Sequence, residues 1–392
     1  MEGKDGAALV VRRLSFVVFL AWLGATAVVP LLPLYLRQKG ASPSTTGIVM
    51  ASFFLAGVLL QYPAGRLSDR FGRKPVLVGG LCAYAVACLG FLLPMTPLAY
   101  GVLRFVQGGA AGAIEVATLA TVSLVVPEAG RGRASSRIYA SMLAAAAVGP
   151  LLGSFIGISQ MAYIFVLAAA LSAIAAIPVL RGDVVPRSVH EGPLGSLTVD
   201  ARLIGALGCA VALGICVGAY EACWSLLMHY KGASNFQLGL SWTLFALPYV
   251  VFFRLGGWFA DHTDRRIFAV IGIVNSAIFC AIYPLIGSVD ALLALSCFEA
   301  VGSTLALPCA QSILTEGAGP REVGRRQGAF STAQTAAMAV STMASGALFG
   351  VGPAVPFVTM ACVSIAAVCF VPFLWRRVPG RVGAGVAVTP QP

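Results

Sequence analysis

Long apolar runs separated by short polar breaks occupy the chain from residue 14 to residue 375. A helix needs roughly 20 apolar residues to cross about 30 Å of hydrocarbon. The pattern supplies twelve such runs: 14–36, 46–66, 75–95, 97–125, 134–158, 160–180, 202–228, 235–259, 267–287, 290–314, 325–350 and 354–375. Two pairs nearly abut. Pro94 and Pro97 mark one turn, and Gly157, Ser159 and Gln160 mark the other. The expected fold is an all-α membrane protein of twelve transmembrane helices.

Composition agrees with this reading. The 392 residues are 58% hydrophobic and 10% charged, whereas a soluble domain carries about 25% charged residues. So few charges cannot wet a globule of this size, but a lipid-facing surface needs none. Arg12 and Arg13 precede the first run and no small-residue cleavage site follows it, so it reads as a spanning helix, not a signal peptide. The ten cysteines lie in apolar runs without metal-ligand spacing and read as small packing residues; no metal site is expected. There is no phosphate-binding glycine loop, no H-E-x-x-H and no nucleophile triad. Neither an enzyme nor a bound cofactor is expected.

Loop charge sets the orientation. The chain ends and the loops after even-numbered runs hold 21 Lys and Arg, against three on the other side: Arg37, Lys39 and Lys231. Under the positive-inside rule both termini are cytoplasmic. The net charge of +11 is thereby a topology signal, and no nucleic-acid partner is implied.

The halves of the chain repeat each other. Gly65, Asp69, Arg73 and Lys74 match Gly257, Asp261, Arg265 and Arg266 at an offset of 192 residues. The ridge Ser141, Ala145, Gly149, Gly153 has its counterpart in Ala333, Ala337, Ser341, Ser345 at the same offset. Such ridges let helices approach closely. The expected organisation is an N-terminal tail (1–13), a six-helix half (14–180), a cytoplasmic linker (181–201), a second six-helix half (202–375) and a C-terminal tail (376–392). Two such pseudo-symmetric halves make a rocker with solute bound between them.

Residues 65–75 read Gly65-Arg-Leu-Ser-Asp69-Arg70-Phe-Gly72-Arg73-Lys74-Pro75. This closely resembles the loop between helices 2 and 3 of the major facilitator superfamily. The resemblance implies that Gly65, Asp69, Arg70, Gly72, Arg73 and Lys74 form a latch holding the halves together in the outward-open state. Leu23-Gly24 followed by Pro30-Leu-Leu-Pro33 resembles helix 1 of the twelve-helix drug:proton antiporters, although that helix carries no acid here. Arg104-Phe-Val-Gln107-Gly108-Gly109-Ala110 is similar to the helix-4 motif, whose arginine is linked to proton transfer. Gly149-Pro150-Leu-Leu-Gly153-Ser154 resembles the antiporter motif of helix 5, with Ser154 in place of its last Gly; its physical content is a kink and a packing ridge.

Ionisable groups inside spans are costly and mark function. Arg104, Glu115, Glu221, Arg254 and Glu299 fall within runs. Arg104 and Glu115 are separated by three helical turns, roughly 16 Å, and share one face. Arg254, near the degenerate second loop, reads as a structural ion pair. Glu115, Glu221 and Glu299 are the candidate proton carriers, with Arg104 tuning them. Tyr220 and Trp224 share a face at i, i+4 beside Glu221, as an amphipathic cation would require. With Trp22 and Gln107 they are the candidate substrate-cavity residues. The expectation is a monomeric transporter in the cell membrane, with protons and a small molecule as its partners. Efflux of hydrophobic or cationic compounds driven by the proton gradient is the leading reading; carriage of one metabolite or lipid is the alternative.

Overall fold

The computed structural model describes residues 2–181 and 198–380, and all regular structure among them is helical. Most of the expected linker and the last twelve residues of the tail lie outside the described residues, as do the side chains of Arg254, Gly257 and Asp261. In order, α1 is Glu2–Val28, α2 Leu32–Gln38, α3 Pro43–Phe71, α4 Arg73–Gly90, α5 Tyr100–Val125, α6 Glu128–Ile156 and α7 Met161–Arg181. There follow α8 Ala201–Tyr230, α9 Asn235–His262, α10 Arg265–Ile282, α11 Val289–Ser303, α12 Ala306–Thr315, α13 Pro320–Phe349, α14 Val355–Cys369 and α15 Val371–Leu374.

Three of the apolar runs are each divided into two helices, and a proline stands at each division: Pro30 before α2, Pro308 in the first turn of α12 and Pro372 in α15. Proline has no N–H to give the preceding turn, but it suits the start of a new helix. Among the described residues ten helical segments are long and apolar enough to cross a membrane. The expected spans in α9 and α13 are not among these ten. Polar residues along α13, among them Ser331, Thr332, Gln334, Thr335, Ser341 and Thr342, lower its apolarity below that of the other spans.

The buried core divides in a way that matters for function. One apolar cluster draws on both parts of the chain, bringing Leu31, Leu36 and Phe165 together with Leu227, Tyr283 and Phe357. It lies at the end of the bundle opposite the N-terminus. At the other end, where the basic loops stand, two separate clusters replace it. Leu14, Leu77, Ile138 and Val179 fill one, from α1, α4, α6 and α7; Leu203, Ile273, Ile313 and Trp375 fill the other, from α8 to α15. Among the described residues the two parts thus share one apolar cluster at the end opposite the N-terminus and carry separate clusters at the basic end.

Packing follows the 192-residue offset. α6 lies on α1, where Thr26 Oγ1 donates to Ala145 O at 3.0 Å. The corresponding pair is α13 on α8, where Thr342 Oγ1 donates to Gly218 O at 3.0 Å and Ser341 Oγ to Ile215 O at 2.6 Å. Across the two parts, α3 meets α13 and α6 meets α9.

Ion pairs close the basic end of the second part. Arg265 is buried and pairs with Glu316, and Arg326 holds Asp200 at 2.8 Å and Glu322 at 2.9 Å. Arg266 bridges Asp264 at 2.6 Å and the Val378 carbonyl at 2.9 Å, fastening the residues after α15. The hydrogen bonds from Arg266 hold the Asp264 carboxyl below the usual carboxylate range, against the opposing effect of burial. Because this value is depressed on folding, the charged carboxylate adds stability above about pH 4, and that stability is lost as pH falls through the folded value. Protease cleavage after Arg376 or Arg377 is expected to rise below that pH and to be pH-insensitive in Asp264→Asn.

Candidate functional site

Between the two parts lies a cavity of two lobes, about 320 and 330 Å³. Thr26, Val29 and Glu221 line both lobes, so the two adjoin there. The first lobe is walled by α1, α3, α4 and α5 through Trp22, Phe53, Gln61, Tyr84, Arg104 and Glu115. The second is walled by α6, α8, α9 and α13 through Leu143, Pro150, Trp242, Phe245, Tyr249 and Gln334. Aromatic faces and a few polar groups converge here, the composition of a small-molecule site.

Arg104 and Glu115 do line one cavity, as their shared helix face requires. The Arg104 guanidinium is buried, stacks 4.5 Å above the Phe53 ring and donates to Gln107 Oε1 at 3.1 Å. Gln107 itself is fully buried behind the wall, where its amide donates to Cys88 Sγ at 3.3 Å. It therefore orients Arg104 from behind the cavity surface. Trp22 is in the wall.

Helix 7 of the apolar pattern, α8, divides its residues differently from the expectation. Successive residues project about 100° apart around a helix, so Glu221 turns into the cavity while Tyr220 and Trp224 turn away from it. Tyr220 bonds Glu299, not Glu221, and Trp224 donates to Ser241 Oγ at 2.8 Å. Glu299 is fully buried in α11; its Oε1 accepts from Tyr220 Oη at 2.9 Å and Ser276 Oγ at 2.6 Å, and its Oε2 from Tyr283 Oη at 2.6 Å. Trp224, Trp242 and Phe245 enclose a small apolar chamber of about 50 Å³ beside it. The carboxylate thereby ties α8, α10 and α11 together. Each buried hydroxyl left without a partner costs about 1–3 kcal/mol, so Glu299→Ala is expected to lower the denaturation midpoint of the purified protein by several degrees. Glu299→Gln, which keeps an acceptor, should lose less; equal midpoints for both variants and the parent would contradict the tie.

The sequence profile of the Major Facilitator Superfamily matches residues 14–220 and again 203–388. The chain belongs to the major facilitator superfamily. It is 37% identical over 150 residues to a chloramphenicol resistance protein of Pseudomonas aeruginosa, a match covering 38% of this chain and 36% of that protein. The chain therefore spans about a third of that relative's length. It is 26% identical over 353 residues to the class E tetracycline resistance protein of Escherichia coli, covering 81% and 82% of the two chains. The crystal structure of a POT family transporter in complex with 5-aminolevulinic acid superposes with a TM-score of 0.78 at 14% identity, covering 93% of this chain and 96% of that one. As a member of this superfamily with ten apolar helical segments among its described residues, the chain is a multi-pass protein of the cell membrane.

The superfamily's loop signature occupies the junction of α3 and α4. Gly72 caps the junction with φ +95°, a backbone region that residues with a Cβ rarely adopt. Asp69 faces Arg73 at 3.5 Å with 40% of its side chain exposed, and Arg73 is buried. Lys74 donates to Leu180 O at 3.0 Å, capping the end of α7. Gly65 faces Val116 of α5, and Arg70 stacks on Phe71 at 5.2 Å. The second loop does the same for the other part, with Arg266 on the Trp375 and Val378 carbonyls. In the helix-5 motif, Gly149 and Gly153 press on Thr26 and Ala27 of α1, and Pro150 and Ser154 press on Gly239 of α9.

Sequence reading missed Gln61 and the α9 stripe Trp242, Phe245 and Tyr249. Gly57 and Gln61 share a face at i, i+4, and a polar residue at that spacing in an apolar run was the available signal. The α9 aromatics also recur at helical spacing, but a lipid-facing stripe has the same period.

Proposed function

We propose that this chain is a secondary active transporter that exports small hydrophobic or cationic compounds in exchange for protons by alternating access. In this reading it has twelve spans in two six-helix halves and both termini in the cytoplasm. It works as a monomer in the bilayer, with the proton gradient as its energy source. The observation that carries the reading is the two-lobed cavity at the meeting of the halves, which share one apolar cluster at the outer end, with Glu115 and Glu221 in its aromatic wall. A cavity between repeat halves, with intramembrane acids facing it, is the arrangement expected of a rocking transporter. Relatives named for chloramphenicol and tetracycline resistance support export of foreign compounds.

Glu221 is the proposed principal proton carrier, since it stands where the lobes join. Glu115 is a second carrier and Arg104 the countercharge to both. Glu299 is proposed to act indirectly, by setting the packing of α8 against α10 and α11. The α3–α4 junction is the proposed latch, disengaged in this reading because the two parts carry separate clusters at the basic end. The test is a panel of lipophilic dyes and antibiotics offered to proteoliposomes and to purified protein. Export driven by an imposed proton gradient, with proton release on substrate addition, is the expected result. Gradient-independent flux across the panel, or no flux, would overturn it.

A further inference from the structure

The first lobe holds a cation that the protein leaves incompletely satisfied. Arg104 is 2% exposed, and among the described residues no carboxylate lies within 4 Å of it. One guanidinium nitrogen is used by Gln107 at 3.1 Å, while Nε is buried with no hydrogen-bond partner. Arginine stays charged in any protein environment, and its planar fork is shaped to hold two oxygens at once. In the second lobe Trp242 Nε1 is likewise buried without a partner. Both unsatisfied atoms are donors, and neither finds an oxygen within the protein.

The same cavity carries Glu115 and Glu221, and Glu221 faces both lobes. Glu299 is removed from this account because three hydroxyls already occupy its oxygens. A purely cationic ligand would meet Arg104 as a like charge, and a purely anionic one would meet the two glutamates. Like charges juxtaposed at a desolvated surface cost affinity and so select against such ligands. We infer that the preferred substrate is a zwitterionic amphiphile, its anionic oxygen group on Arg104 and its basic nitrogen on Glu221. The aromatic wall takes the apolar body between them. This rests on the transport reading above and narrows it.

The test compares three probes by equilibrium dialysis against the purified full chain near neutral pH, and by export from proteoliposomes. Norfloxacin carries both charges, its ethyl ester keeps the amine and loses the anion, and its N-acetyl derivative keeps the acid and loses the cation. The parent is expected to bind at least about tenfold more tightly than either derivative. Arg104→Gln should bring the parent-to-ester ratio to about one, and Glu221→Gln should do the same for parent against N-acetyl derivative. Arg104→Lys, which keeps the charge but loses the fork, should give an intermediate ratio and serves if the glutamine variant fails to fold. An ester that binds and is exported as well as the parent overturns the zwitterion inference and leaves export standing. A ratio that persists in both Arg104 variants also overturns it. If none of the three probes binds or is exported, both readings fall.

Discussion

Glu221→Gln is expected to abolish substrate-induced proton release and to cut gradient-driven export at least about tenfold, while exchange of labelled for unlabelled substrate continues once substrate is raised enough to offset its weaker binding. The glutamine side chain keeps the size and the accepting oxygen of the glutamate but cannot take up or give back a proton. Glu221 differs from the other two candidate acids in position. It faces both lobes of the cavity, whereas Glu115 faces the first lobe and Glu299 is enclosed by hydroxyls from α8 and α10. A carrier must meet water and substrate from both sides during a cycle, and the join between the halves is where both arrive. Exchange needs the rocking motion but no net proton movement, so at raised substrate it separates a coupling defect from a folding defect. Intact proton release in Glu221→Gln would move the carrier role to Glu115. Loss of exchange even at saturating substrate, together with loss of release, would make Glu221 a structural residue and not the carrier.

The fold was largely legible because each signal in the chain reports on its solvent. Apolar runs report on lipid and the Gly65–Pro75 loop reports the family, whereas the restarts near Pro30, Pro308 and Pro372 fall inside runs read as single spans. The site was less legible because a helix shows its residue order but not its rotation. Tyr220, Glu221 and Trp224 are neighbours in sequence, yet Glu221 faces the cavity and the aromatics face Glu299. Arg104 and Glu115 were placed correctly on one wall, because eleven residues make close to three whole turns of one helix. The partners of Glu299 come from α8 and α10, at sequence separations of 79, 23 and 16 residues. Nothing local in the sequence announces that convergence, since Ser276 and Tyr283 look like ordinary residues of an apolar run.

Gly346→Val is expected to hold the outer end open and to reduce transport at least about fivefold. Gly47 of α3 and Gly346 of α13 meet backbone to backbone at that end, where a Cβ on Gly346 would lie 2.5 Å from the Gly47 Cα and 2.8 Å from Pro43 O. These contacts are main chain on both sides, so no rotamer change relieves them. Overpacking of this kind costs about 1–3 kcal/mol, enough to shift a two-state equilibrium about 5–150-fold. The contact joins parts of the chain that separate when the outer end opens, so the cost falls on the outer-closed state. Amide exchange should accelerate in residues 43–50 and 342–349 and slow in residues 65–75, where the basic end would close. Gly153→Val is the control with the opposite outcome. Gly153 presses on Ala27 within one bundle, a contact that the proposed rocking of rigid halves would keep in every state, so this variant should lower yield and stability without that reciprocal exchange pattern. If Gly346→Val left transport and exchange unchanged, the outer contact would be packing and not a gate. If Gly153→Val produced the reciprocal pattern as well, α1 and α6 would have to move against each other during the cycle, and the halves could not be rigid rockers.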